Sequence, residues 1–255
     1  MTTRELLGTW TLPVPAILAC AAAFALHGAR GGFRSSRRTA ALSAAAALLL
    51  LALASPLALL AAGYLFSAHM VQHLLLVLAI PPLVLFALPP SGAPLRGFAG
   101  DVLRRPMITW GAGIGAMWIW HAQTLCNAAS TSDLVRGLQT VSLLVMGGMF
   151  YFPILAPHED DRLDPLRGAA YLFAACVGCT LLGILITFSP LEVCPAFLHP
   201  ADPRGVVALV RSEWGVGAAQ DQQIAGLVMW VPACLVYGSG ILGLLARWYR
   251  GESAR

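Results

Sequence analysis

Ser67-Ala68-His69-Met70-Val71-Gln72-His73-Leu74-Leu75-Leu76 opens an apolar run that continues to Leu88. The run is long and greasy enough to lie in a bilayer, whose hydrocarbon core takes about 20 residues of helix. On a helix, residues four apart share a face, so His69 and His73 put both imidazoles on one side, with Gln72 beside them. Polar side chains at membrane depth are costly and usually face a partner, a cavity or a metal. Two imidazoles one turn apart make a natural metal clip, because neutral imidazole is a common ligand for copper, zinc and iron. The same spacing also serves two histidines that hydrogen-bond neighbouring helices, and it does not choose between the two.

Working outward from this stretch, apolar runs of membrane length recur from end to end. The chain has 255 residues, 58% hydrophobic and 11% charged, against about 25% charged in a soluble domain. This composition reads as an all-α polytopic membrane helix bundle of one domain, residues 1–255, with about seven transmembrane helices. The expected spans are 11–29, 39–61, 66–89, 107–122, 135–155, 168–188 and 222–246, the fourth being short unless it runs on to a loop at Cys126. The net charge of +4 does not point to nucleic acid, because the basic residues, all arginine, follow the loops. The first apolar run differs from a cleaved leader: its stronger basic cluster, Arg30, Arg34, Arg37 and Arg38, follows the run instead of preceding it.

Orientation follows from the same arginines. Loops 30–38, 90–106 and 156–167 and the tail hold Arg30, Arg34, Arg37, Arg38, Arg96, Arg104, Arg105, Arg162, Arg167, Arg247, Arg250 and Arg255. The alternate side holds Arg4, Arg204 and Arg211, with Arg136 near a helix end. The rich side is expected in the cytoplasm, which puts the N-terminus in the periplasm and the C-terminus in the cytoplasm of a bacterial inner membrane. His69 and His73 then enter from the outer side. His121, in Trp118-Ile119-Trp120-His121, ends the fourth span there, and Asp221, Gln222 and Gln223 open the seventh. Met229 lies two turns deeper, on one stripe with Gln222 and Gly226.

Each of these residues has a plainer reading. His121 also fits a helix end beside an aromatic belt of Trp118 and Trp120. Asp221 serves either to orient a ligand histidine or to cap its own helix, and Met229 serves as ordinary packing. Pro81-Pro82 and Pro232 predict kinks, and the glycines at 111, 113, 115, 147 and 148 predict close helix packing. Loop 156–167, with four acidic residues, reads as a solvated connection. Cys20 and Cys234 read as packing residues. Cys176 and Cys179 form a C-x-x-C on one helix face, without the loop context of a redox motif but compatible with transient Cu(I). Cys126 and Cys194 fall in the two outer loops and are candidates for a disulfide. His27 reads as structural, and His158 and His199 as solvent-exposed. No nucleophile elbow, phosphate loop, catalytic carboxylate pair or covalent haem motif is present, so the chain reads as a non-enzyme.

Phe66-Ser67-Ala68-His69-Met70-Val71-Gln72-His73-Leu74-Leu75-Leu76 with Pro81-Pro82 resembles the signature of the CtaG-type membrane proteins. Trp118-Ile119-Trp120-His121 resembles that family's Trp/His element. Glu213-Trp214-Gly215-Val216 with Asp221-Gln222-Gln223-Ile224-Ala225-Gly226-Leu227-Val228-Met229-Trp230 resembles its last signature. The resemblance spans roughly residues 60 to 245 and does not extend to the single-span copper chaperone that shares the name. It implies a respiratory-chain assembly factor for a haem–copper cytochrome c oxidase, with oxidase subunits, a periplasmic copper donor and the lipid bilayer as partners. The resemblance also implies copper delivery, and histidine plus methionine suits Cu(I), so His69, His73 and His121 are the expected ligands, with Met229 as a soft ligand and Asp221 and Gln72 supporting them. The chain departs from the family at Leu134-Val135-Arg136-Gly137-Leu138-Gln139-Thr140, where members often carry a further histidine pair and this sequence has none. Two alternatives stay open: a metal-free scaffold or accessory subunit bound to the oxidase, and a haem-binding electron-transfer protein using His69 or His73 with His121.

Overall fold

The computed structural model describes residues 1–89 and 97–252, so Arg96 and Arg255, both counted in the charge asymmetry, lie outside the described residues. Among the described residues there are helices and no strands. A helix overlaps each of the seven expected spans: α1 Val14–Ala29, α2 Ser36–Ala54, α3 Phe66–Ala87, α4 Pro106–Trp120, α5 Asp133–Leu155, α6 Pro165–Phe188 and α7 Ala218–Glu252, although the second expected span, 39–61, breaks at Ser55 before a separate helix Pro56–Ala61. Five of them, α2, α3, α5, α6 and α7, are long and apolar enough to cross a membrane. The chain is thus a multi-pass membrane protein. At 1.5 Å per residue, the 16 residues of α1 and the 15 of α4 fall short of a hydrocarbon core about 30 Å thick.

The surface follows the membrane pattern. Leu134, Leu138, Val141 and Val145 line one exposed stripe of α5, and Phe173, Val177, Leu181, Ile184 and Phe188 one of α6. The buried side chains include polar ones: His69, Gln72, His73, His121, Gln139, Thr187 and Asp221. In lipid the apolar stripe needs no cover, whereas polar groups must find partners inside the bundle.

Helix α3 lies at the centre, against α2, α5 and α7, while α1 packs on α2. It is α-helical over Phe66–Leu74, passes through a π-helical turn at Leu75–Ala79 and resumes as α-helix over Ile80–Ala87. The turn sits just above Pro81-Pro82, whose missing N–H groups cannot bond back to Val77 and Leu78. The expected interruption of α3 therefore takes the form of a widened turn. Helix α5 comes in closely there: a Cβ on Gly147 would lie 2.8 Å from both the Val77 carbonyl oxygen and Pro81 Cγ. By contrast, α7 runs unbroken through Pro232.

The most extensive helix contact joins α6 and α7. It rests on two glycines that the sequence does not single out for packing: a Cβ on Gly226 would meet Thr187 N at 2.7 Å, and one on Gly183 would meet Trp230 Cβ. Of the glycines expected to serve packing, Gly113 (against Phe150) and Gly147 do so, while Gly111, Gly115 and Gly148 face open space. Two other expectations need correction. The fourth helix stops at Trp120, and Cys126 sits in a separate short helix, Gln123–Thr131, not in a loop. The acidic connection is not fully solvated: Asp161 is buried and accepts from Arg104 Nε at 2.7 Å.

Candidate metal site at the histidine end

The chain directions bring the start of α3, the end of α4, the start of α5, the end of α6 and the start of α7 to one end of the bundle. Cys126 and Cys194 are joined there in a disulfide with their Cα atoms 5.9 Å apart, tying the short helix after α4 to the segment after α6. Asn127 Oδ1 accepts from Ala196 N at 3.0 Å beside it. Gly215, with φ +68°, turns the chain into α7 in a conformation open to glycine.

Asp221 takes a role that neither sequence reading foresees. Its carboxylate accepts from Phe66 N (2.7 Å), Ser67 N (3.0 Å) and Ser67 Oγ (2.6 Å). It therefore caps α3, the helix that carries the histidines, from the first turn of α7. A carboxylate at a helix N-terminus both satisfies otherwise unpaired N–H groups and complements the helix dipole. No hydrogen bond joins it to a histidine. Gln72 also turns away from the imidazoles: its Nε2 donates to Ala52 O at 2.7 Å and fastens α3 to α2. Gln222 holds the end of α6, accepting from Val193 N at 3.1 Å and donating to Leu191 O at 3.1 Å. Gln223 is exposed.

Inside this frame three imidazoles stand in a row. The His69 and His73 ring centroids are 4.2 Å apart, and those of His73 and His121 are 5.4 Å apart. His69 Nδ1 lies 3.1 Å from Ala61 O, and His121 Nδ1 lies against Met117 O. A carbonyl oxygen can only accept, so both rings donate from Nδ1 and keep a lone pair on Nε2. His69 Nε2 has no hydrogen-bond partner among the described residues, and the polar contact of His73 is with the side chain of Gln139. His121 Nε2 faces Met70 Sδ at 3.1 Å. With its proton on Nδ1, His121 turns its Nε2 lone pair toward the thioether, so a nitrogen and a sulfur donor lie side by side. Ligating histidines usually fix their tautomer in this way, donating the other ring N–H to a backbone carbonyl.

The row is open. Among the described residues, no three His, Cys, Asp or Glu side chains close on a point as a metal cage. What the residues fit is a soft ion with few ligands: imidazole plus thioether suits Cu(I). Between His73 and His121, with ring centroids 5.4 Å apart, there is no slot for a porphyrin. Met229 is buried and lies eight residues into α7 from Asp221, much as His73 lies seven into α3 from Phe66. The two are therefore at similar depth, although no hydrogen bond links Met229 to the imidazoles.

Two residues at this site escape the sequence reading. Met70 stands three positions before His73, on the same helical face, so its signal is present in the sequence. Gln139 of α5 sits beside His73, is buried, and leaves its Nε2 without a partner. It belongs to the stretch that lacks the family's extra histidines. Two openings lie at this end: a cleft of about 790 Å³ lined by Gln72, Arg136, His199 and Arg204, and a groove of about 550 Å³ between α4 and α6 whose lining includes the buried His121.

The remaining candidates lie elsewhere. Cys176 Sγ is 2.9 Å from Cys234 Sγ, and Cys179 Sγ is 4.0 Å from the Tyr237 hydroxyl, so both cysteines of the C-x-x-C face α7. Cys234 is thus a partner of Cys176 and not merely packing. His27 is buried against Phe33, 3.3 Å from Thr39 Oγ1. His199 is exposed and His158 half-buried.

Residues 18–251 match the family described as cytochrome c oxidase caa3 assembly factor (Caa3_CtaG). No curated protein and no solved structure matches the chain.

Proposed function

The chain belongs to the cytochrome c oxidase caa3 assembly factor family, and from that premise we propose that it carries copper as cargo to a haem–copper oxidase. The cargo is held by His69, His73 and His121, with Met70 supplying sulfur and Met229 a further candidate at the same depth. The observation that carries this reading is the row of buried imidazoles, with His69 Nε2 lacking any hydrogen bond among the described residues and His121 Nε2 set against the Met70 thioether. A protein that used these histidines only for packing would be expected to satisfy them.

The chemistry is ligand exchange, without bond-making in an organic substrate. Neutral Nε2 lone pairs accept Cu(I) with no proton to expel. Each incoming ligand from the oxidase replaces one imidazole or thioether as it leaves, and copper keeps its oxidation state. Asp221 and Gln72 act as positioning residues: one caps α3 and the other pins it to α2, so the imidazoles are presented without having to be ordered by the metal. The site lies at the arginine-poor end of the bundle, which the charge asymmetry assigns to the periplasm of a bacterial inner membrane. The N-terminus then lies outside and the C-terminus inside, and a periplasmic donor reaches the row through the groove beside His121.

The test is copper content, membrane abundance and oxidase activity, measured together in cells expressing His69→Ala/His73→Ala at limiting copper. We expect normal abundance, at least a tenfold loss of retained Cu(I) and low oxidase activity. Wild-type oxidase activity in that variant would overturn the cargo mechanism and leave a metal-free scaffold as the account.

A further inference from the structure

The opposite end of the bundle holds a second constructed site. A cleft of about 640 Å³ opens where α2 begins and where α3, α5 and α7 end. Arg37, Arg38, Arg162 and Arg247 line it, brought together from three separate stretches of sequence, over an apolar wall that includes Phe86 and Leu155. Arg162 is occupied, donating from Nε to Ala156 O at 2.7 Å and lying 3.8 Å from Glu159. Arg37, Arg38 and Arg247 have no hydrogen-bond or ion-pair partner among the described residues. Ser35 also lines the cleft. It leads into α2 without a capping hydrogen bond, and the first turn of α2 carries no acidic residue. The first N–H groups of this 19-residue helix thus have no side-chain cap.

Three uncompensated guanidinium groups and an uncapped helix N-terminus call for an anion rich in oxygen acceptors, and guanidinium binds phosphate with two parallel N–H donors. The apolar wall calls for a hydrocarbon on the same molecule. The cleft lies at the ends of membrane-spanning helices, at headgroup level. We propose that this cleft is a binding site for an anionic glycerophospholipid, with the phosphate at Arg37, Arg38 and Arg247 and an acyl chain along Phe86 and Leu155. Basic pockets between transmembrane helices are a recurrent way of holding such lipids. The inference does not depend on copper, and its outcome is independent of that reading.

The full-length protein, reconstituted in nanodiscs of phosphatidylcholine doped with phosphatidylglycerol, would be released into the gas phase and its retained lipids counted by native mass spectrometry. Wild type is expected to keep phosphatidylglycerol in preference to phosphatidylcholine. Arg37→Gln/Arg38→Gln/Arg247→Gln should weaken retention on the order of a hundredfold, at roughly fivefold per arginine. Arg30→Gln/Arg34→Gln changes charge near the same end but outside the cleft and should retain the lipid, and an unchanged melting temperature shows that each variant is folded. Equal loss in both variants would mean general surface charge and overturn the site. So would equal retention of phosphatidylcholine. If inorganic phosphate in lipid-free detergent binds as tightly as phosphatidylglycerol, with the same arginine dependence, the ligand is free phosphate and the lipid assignment fails.

Discussion

The two ends of this bundle handle polarity in opposite ways. At the histidine end, polar groups are carried inward and framed: a disulfide, a buried carboxylate and two glutamines fix the scaffold, and His69 Nε2 is left without a hydrogen bond among the described residues. At the arginine end, charge stays on the rim, with Arg104–Asp161 as its one ion pair in which a partner is buried, among the described residues. The contrast separates two uses of unpaired polarity. Buried and held rigid, it suits a bare ion with few ligands. Exposed on the rim, it suits a headgroup that brings its own hydration.

The comparison can be broken by measuring where stability resides. The largest effect is expected from the disulfide. Cys126→Ser/Cys194→Ser opens a link across a sequence separation of 68 and should cost about 4 kcal/mol on the chain-entropy estimate. Hydrogen exchange should show the loss concentrated at the start of α3 and the end of α6, not at the arginine end. Protection lost equally at both ends would mean that the histidine end is not separately framed.

Asp221→Ala comes next. It removes the acceptor of three hydrogen bonds and leaves two backbone N–H groups of α3 unsatisfied, for about 3 kcal/mol. It should also lower copper retention although Asp221 touches no imidazole, because α3 loses its cap. Asp221→Asn keeps an acceptor and should recover part of both. If Asp221→Ala left stability untouched, the cap would be incidental.

The smallest effect belongs to the other end. Arg104→Gln breaks an ion pair whose arginine is 38% exposed and whose aspartate is 4% exposed. About 1 kcal/mol is expected from thermal melts in detergent. A cost matching that of Asp221→Ala would erase the distinction between a framed end and a rim.

The helical plan was legible because lipid imposes it: a run of about 20 apolar residues has few other readings. The shared face of His69 and His73 was legible for the same kind of reason, since it depends on local periodicity alone. The targets of the polar side chains were not. Asp221 reaches a helix start 154 and 155 residues away, and Gln72 turns to Ala52 although its spacing places it beside the imidazoles. Spacing gives a face, but which neighbour occupies that face is a tertiary fact. The same holds for Gly183 and Gly226, whose function exists only once α6 and α7 are side by side. Met70 was within reach, as a thioether one turn before His73, but its meeting with His121 depends on how α3 and α4 pack.

The π-helical turn at Leu75–Ala79 sets an angular phase between the two halves of α3. A wide turn holds one residue more than an α-turn would. If the same residues were wound as ordinary α-helix, Ile80–Ala87 would rotate by about 100° relative to His69 and His73. Pro81 would swing off Gly147, and Phe86 would leave the arginine cleft. The wide turn thus acts as a phase corrector between the two ends, and a deletion of a single leucine there would let the segment close as ordinary helix with both halves still in phase.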